Sequence, residues 1–193
     1  MKILLLGASG QLGTELNRQL LLIAEIKAYT RSELDITDTQ AVIETISSFK
    51  PNVIVNAAAY TAVDNAEEEK SLAYAINSDA VAVLAQQAAK QGAWLIHYST
   101  DYIFDGEKTA PYTEMDAPNP INVYGASKLA GEEFIAASNC NHFIFRTTWV
   151  IGKDGRNFAK TILRLATQRD SLSVISDQYG VPTSPSLITN VTI

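Results

Sequence analysis

Short apolar runs alternate along this chain with longer stretches whose apolar residues recur at helical spacing, and that alternation constrains the fold more than any other feature. Ile3 to Leu6 is a fully apolar run, and Leu12, Leu16 and Leu20 follow at four-residue intervals, as on one buried helix face. Ile26 to Tyr29 reads as a second strand. Asp38 is placed to cap a helix running to Phe49, which Pro51 ends. Val53 to Ala57 is a third strand, Ser71 to Gln91 one long helix, and Trp94 to Tyr98 a fourth strand. A helix from about Tyr124 to Ala137, a strand at His142 to Phe145, a helix over Phe158 to Gln168 and a last strand at Leu172 to Ile175 complete the pattern. Parallel strands need crossover connections, so the alternation predicts an α/β fold: a doubly wound, Rossmann-type parallel sheet with helices on both faces. Ligands of such sheets bind beyond the carboxyl ends of the strands.

Between Asp105 and Val123 the periodicity stops. Gly106, Pro111, Pro118 and Pro120 make this a long loop, and loops of that length inside a compact domain are usually functional. The net charge of −6, with scattered basic residues, speaks against a nucleic-acid partner, which would need a cationic face. No apolar run reaches the roughly 18 residues that span a membrane, so no membrane partner is expected and the cytoplasm is the expected location. The single cysteine, Cys140, excludes an intrachain disulfide and reads as a core residue; His97 and His142 read as strand residues and not as ligands.

The first loop carries Gly7, Gly10 and Gly13 with Gln11 and Leu12 between them, directly after a strand and opening a helix. A tight turn, a backbone able to approach a pyrophosphate, and free N–H groups at a helix start are what a dinucleotide needs there. The second strand ends at Tyr29-Thr30-Arg31 without the acid that binds the ribose hydroxyls of NAD. Arg31 is placed to face a 2′-phosphate instead, which favours NADPH and leaves NADH compatible. A solvated surface arginine is the plain alternative. Asp35 and Ile36 follow, a carboxylate and an apolar wall suited to adenine. After the third strand, the small residues up to Ala59, with Tyr60 and Thr61, would let backbone run close to the nicotinamide ribose.

Tyr124 and Lys128 lie one turn apart at the start of a helix. With eight tyrosines among 193 residues, chance supplies about 0.4 such pairs, so context decides. The context is Ser99-Thr100-Asp101-Tyr102 at the end of the fourth strand. Hydride delivery to a ketone leaves an alkoxide that needs a proton; tyrosine gives one once its phenolate is stabilised, and a nearby lysine ammonium is expected to lower its pKa. Thr100, or Ser99, supplies a hydroxyl aimed where charge develops.

Taken together, the strings Gly7–Gly13, Leu34–Asp38, Val53–Asp64, His97–Gly106, Asn122–Glu132, Arg146–Gly152 and Asp177–Thr183 resemble the extended short-chain dehydrogenases, and within them the dTDP-4-dehydrorhamnose reductase family. The resemblance implies NADPH- or NADH-dependent reduction of the 4-keto group of dTDP-4-dehydro-L-rhamnose, a dTDP-sugar substrate, with a homodimer and a Mg²⁺ ion both compatible with it. It implies that Gly10-Gln11-Leu12 sit at the pyrophosphate, Asp35-Ile36 at the adenine, and Ala59-Tyr60-Thr61 with Tyr98 along the inner half of the cofactor. Tyr124 is then the proton donor, Lys128 its partner, Thr100 and Asp101 sugar contacts, and Trp149 a substrate-side aromatic. Thr148 and Ile151 stand where the family commonly has Ser and Tyr. Residues 1–150 are expected to form the dinucleotide domain, and 151–193 its last elements with the start of a substrate lobe that is otherwise largely absent. Other extended-family epimerases or dehydratases, and a non-catalytic NADP-binding regulatory subunit, are the competing readings; a dehydratase would be expected to carry an acidic pair after Thr100, where here only Asp101 stands before Tyr102.

Overall fold

A computed structural model describes all residues from 1 to 193. Its centre is a five-stranded parallel sheet made of β1 (Lys2–Leu6), β2 (Glu25–Tyr29), β3 (Val53–Asn56), β4 (Trp94–Thr100) and β5 (Asn141–Thr147), in the spatial order β2-β1-β3-β4-β5. The order reverses between β1 and β3, so the crevice for a ligand opens beyond Leu6 and Asn56, which pair in register. β1 and β4 are buried on both faces, which is why their residues read as continuous apolar runs.

Helices cover both faces. On one side α1 (Gln11–Leu20) and α8 (Pro185–Thr192) pack Leu16, Leu20 and Ile188 against Ile3, Leu5, Val55 and Ile96. On the other, α2 (Thr39–Phe49), α5 (Ala80–Gln91) and α6 (Val123–Ala137) pack Val42, Ile46, Leu84 and Ile135 against Leu4, Leu6, Ile54 and Leu95. The expected caps are present. The Asp38 carboxylate accepts the Ala41 N–H at 3.0 Å, and α2 ends on Lys50 in the left-handed region just before Pro51.

Two expectations are corrected. The helix over Ser71–Gln91 is not continuous: α4 (Lys70–Tyr74) passes through a π-helical turn at Ala75–Asp79 into α5. The wider turn lets the Asn77 side chain reach back to Tyr60, where its Oδ1 accepts the backbone N–H at 2.9 Å and its Nδ2 donates to the backbone carbonyl at 3.0 Å. Leu172–Ile175 forms no strand. A strand needs a partner edge, and the pairing in this part of the chain is a single bridge from Val150 to Thr183, leaving Val174 and Ile175 exposed. Two short elements, α3 (Val63–Ala66) and α7 (Phe158–Ala166), complete the chain, and α7 buries none of its residues. No helix is long and apolar enough to cross a membrane.

Leu16 is fully buried between α1 and the sheet. Leu16→Ala is expected to lower unfolding stability by about 2–5 kcal/mol. Leu163→Ala on exposed α7 should change it by less than about 0.5 kcal/mol. Urea denaturation of the two variants measures both.

Candidate active site

The loop between β1 and α1 crosses beneath the loop after β3. Gly7 has φ +79°, and a Cβ there would stand 2.6 Å from the Ala58 nitrogen, so no side chain fits. The N–H groups of Gly7 and Ala8 both donate to the Tyr29 carbonyl at 3.0 Å, which fastens this turn to the end of β2. Helix α1 starts at Gly10 with no side-chain cap and no acid in its first turn, and the N–H groups of Gln11, Leu12 and Gly13 find no backbone acceptor. Uncapped donors at the positive end of a ten-residue helix, beside the topological switch, suit a pyrophosphate. The donor set therefore fits a dinucleotide.

The side chains predicted around the adenine end diverge. Arg31 Nε donates to Asp35 at 3.2 Å, and Asp35 also accepts from the backbone and hydroxyl of Thr37. Those bonds, the Thr37 backbone first, hold the Asp35 carboxyl below its ordinary pKa. Ile36 turns inward and is part of the core. Ala59 and Thr61 are exposed along the crevice, while the Tyr60 phenol donates to Glu69 at 2.5 Å.

Helix α6 is brought unusually close to the end of β4. A Cβ at Gly125 would lie 2.0 Å from the Tyr102 carbonyl oxygen, so the glycine permits the contact. Asn122 caps the helix by accepting the Gly125 N–H at 2.7 Å. In this position the Tyr124 ring meets Tyr102 edge-on, with centroids 5.6 Å apart. Lys128, 1% exposed, points into the sheet, where its Nζ donates to the Tyr98 carbonyl at 2.6 Å and lies 3.1 Å from His97 Nε2.

Burial dominates the electrostatics of this cluster. Burial pushes the Tyr124 phenol up to about 12, a hydrogen bond with Thr100 opposes that rise, and the nearby Asp101 charge adds to it. The Lys128 Nζ is held on the Tyr98 carbonyl of β4. Lys128 itself is brought down to about 8 by burial, against the pull of Glu132. Thr100, 4% exposed, donates to Asp101 at 3.1 Å and accepts the Tyr102 N–H. Thr100, Asp101, Tyr124 and Lys128 are thus gathered at the carboxyl end of β4.

Tyr98 contributes its carbonyl to this cluster. Its side chain passes through the opposite face, buried against Phe145 with its hydroxyl 2.9 Å from Thr192. Trp149 stands after β5 with φ 42°, a strained conformation for a bulky residue. Gly180 lies directly against its indole, where a Cβ would come within 2.6 Å. The Gln11 side chain spans to the same region, donating to the Val150 carbonyl and accepting from Gly152 N–H and the Asn157 amide. No group of three His, Cys, Asp or Glu side chains is placed to hold a metal ion.

Four residues of this region were given no role in the site from the sequence: Asn56, Asn77, His97 and Glu132. Asn77 had a readable signal, since asparagine is a poor residue for a helix interior. Glu132, 6% exposed and paired with Arg146 at 2.7 Å, had none.

Comparison with known proteins agrees with this geometry. The family described as RmlD substrate binding domain matches residues 1–193. The chain belongs to that family. It is 47% identical to the dTDP-4-dehydrorhamnose reductase of Salmonella typhimurium over all of this chain and 66% of that protein, and 46% identical to the Burkholderia thailandensis reductase over 95% of this chain and 61% of that one. It therefore spans about two thirds of the length of these relatives. Among solved structures, a dTDP-4-dehydrorhamnose reductase from Clostridium acetobutylicum superposes with a TM-score of 0.95 at 45% identity, covering 100% of this chain and 69% of that one. A Bacillus anthracis reductase solved in complex with NADP gives 0.94 at 40% identity, covering 99% and 68%.

The long loop after β4 is organised by two carboxylates. Asp105 accepts from Tyr112, Glu107 N–H and Asn119; Asp116 accepts from Lys108 and Thr113. Both carboxyls are held at about 2, below the ordinary 3.8, by the Tyr112 and Lys108 hydrogen bonds first. Depressed acids stabilise above their ordinary pKa and cease to do so as pH falls through the folded value. The amide resonances of Glu107 and Thr113 should therefore stay unchanged from neutral pH down to about 4 and move with a midpoint near 2 in an NMR acid titration.

Proposed function

We propose that this chain carries the cofactor-binding and proton-donating half of a reductase that uses NADPH, with NADH also accepted, to reduce the 4-keto group of dTDP-4-dehydro-L-rhamnose to dTDP-L-rhamnose. The observation that carries the reading is the gathering of Thr100, Tyr124 and Lys128 at the end of β4, beside a crevice floored by the uncapped start of α1. Identity of 47% to a dTDP-4-dehydrorhamnose reductase supports the substrate, and a relative solved with NADP supports the cofactor.

The nicotinamide, when bound, supplies the hydride. The rest of the chemistry belongs to the chain. With its phenol at about 12, Tyr124 is fully protonated at neutral pH, the state a proton donor needs for a reduction. The carbonyl oxygen gains negative charge as hydride arrives, and the Thr100 hydroxyl, released from Asp101, is positioned to donate to it. Tyr124 O–H then breaks as the new O–H bond forms on the sugar, leaving a phenolate. Lys128 is the nearest buried cation-forming group on the same helix face, and its charge favours that phenolate over a bare one. Asp101 and Trp149 face the sugar side. At the other end of the crevice, Arg31, paired with Asp35 here, would be the residue to hold a 2′-phosphate.

Absorbance at the reduced-nicotinamide band with the dTDP-sugar, alongside fluorescence titration of NADPH, tests the reading; failure to bind any dinucleotide overturns it. Tyr124→Phe should bind NADPH as the parent does and lose about 10²–10⁴-fold in kcat. Arg31→Ala should weaken NADPH about tenfold or more, the worth of a charge-assisted hydrogen bond, and leave NADH within about twofold.

A further inference from the structure

Helix α6 carries three ionisable side chains at four-residue intervals, Tyr124, Lys128 and Glu132, and residues so spaced share one face of a helix. Lys128 is the middle one, with the phenol one turn ahead and a carboxylate one turn behind. Lys128 and Glu132 are both buried, at 1% and 6% exposed. A buried ammonium and a buried carboxylate at this spacing are expected to pair with each other. They do not. Lys128 Nζ goes to β4, where it donates to the Tyr98 carbonyl at 2.6 Å and lies 3.1 Å from His97 Nε2. Glu132 goes to Arg146 on β5.

The Arg146 guanidinium occupies both oxygens of that carboxylate. Its Nη2 donates to Oε2 at 2.7 Å, and its Nε lies 3.2 Å from each oxygen. The guanidinium is itself fixed from a second side: its carbon stands 5.4 Å from the centre of the Phe104 ring, which stacks on Tyr112 at 4.2 Å. In the sheet register Arg146 pairs with Ser99, the residue after Tyr98, so the rival cation is held next to the strand position that takes Nζ.

An ammonium has three N–H donors. Two face β4, and the third is the one a reaction at Tyr124 can use. A Glu132 oxygen without Arg146 would take that donor, because charge-assisted hydrogen bonds are the stronger ones, and would draw Nζ along the helix away from Tyr124. We propose that Arg146 is a positioning residue for Lys128: by holding both oxygens of Glu132 it denies the lysine a carboxylate one turn behind, and the ammonium stays on β4 on the side of Tyr124. This deepens the reductase reading and rests on it for the role of Lys128 as the cationic partner of Tyr124.

His97 on β4 is held well below its ordinary range, by burial first and the Lys128 charge second. Tyr98 on β4 and Tyr124 on α6 are pushed up by burial, Tyr124 to about 12. None of the three changes charge in the range where Lys128 does. Asp101 and Tyr102 lie in the turn after β4. On the elements behind α6, Tyr74 of α4 is half-buried, while Asp64 of α3, Lys70 of α4, Asp79 of the π-helical turn and Lys90 of α5 are exposed.

The test is an NMR titration of the isotope-labelled chain without cofactor or substrate, so its outcome is separate from that of the activity assays. The Lys128 carbon next to Nζ should titrate at about 8 in the parent. Arg146→Lys keeps the charge but replaces the fork with a single-point contact, and should raise the Lys128 midpoint by about half a unit, about threefold in proton affinity. Arg146→Met releases the carboxylate altogether and should raise the midpoint by about one unit, about tenfold. Arg146→Met combined with Glu132→Gln has no carboxylate to release, and its Lys128 should titrate no higher than in the parent. A midpoint unmoved in Arg146→Lys overturns the proposal, because loss of charge repulsion alone would act only in Arg146→Met. A midpoint still raised in the double variant overturns it as well. Arg146→Lys retains an ion pair with Glu132 and decides the matter if Arg146→Met does not fold.

Discussion

The site depends on the burial of one polar side chain. Lys128 is 1% exposed, and a buried amine or ammonium without partners costs several times what an ordinary contact returns. Its partners are the Tyr98 carbonyl and the His97 ring, both on β4, so α6 has to lie where Nζ can reach the strand. Gly125 and Gly131 permit that approach at two points: against the Tyr102 carbonyl, and against the Asn77 carbonyl of the π-helical turn. Tyr124, one turn earlier on the same helix, is set over the end of β4 as a consequence. The position of Tyr124 follows from satisfying the lysine.

The same packing explains the sense of the electrostatics. A tyrosine beside a free ammonium would ionise more readily, but here the ammonium-forming group is turned into the sheet and burial dominates, so the phenol stays protonated. That suits delivery of a proton to an alkoxide. Lys128, brought to about 8 by burial, is close enough to neutrality to exist in both forms at working pH. One helix thus carries a phenol raised by burial and an amine lowered by it.

Much of this was legible in sequence because it rests on local signals. Five strands and their parallel order follow from apolar runs separated by helix-length crossovers, and the glycine spacing after β1 reports a backbone requirement that only glycine meets. Asp38 and Pro51 bounded α2 correctly. What failed was non-local. Asn77 interrupts its helix because Tyr60, seventeen residues earlier, needs two backbone partners. Leu172–Ile175 has strand composition, yet strand formation is decided by the edge it meets and not by the run itself. Ile36, read as an apolar wall for adenine, packs its side chain in the core through contacts the local pattern does not report. His97 was correctly placed in a strand, while its second nitrogen's partner, Lys128, lies thirty-one residues away and no spacing rule reaches that far.

The two ends of the crevice are tied together by side chains that carry no chemistry. Gln11, in the first turn of α1, bonds to Val150, Gly152 and Asn157, while Gly180 packs against the indole of Trp149 and Thr183 bridges to Val150. The dinucleotide loop and the strained residue after β5 therefore share one rigid connection. A bulky residue held at φ 42° persists only where its surroundings over-determine it, and here three neighbouring contacts do so. Gln11 thus ties the first turn of α1 to the segment after β5 that carries Trp149.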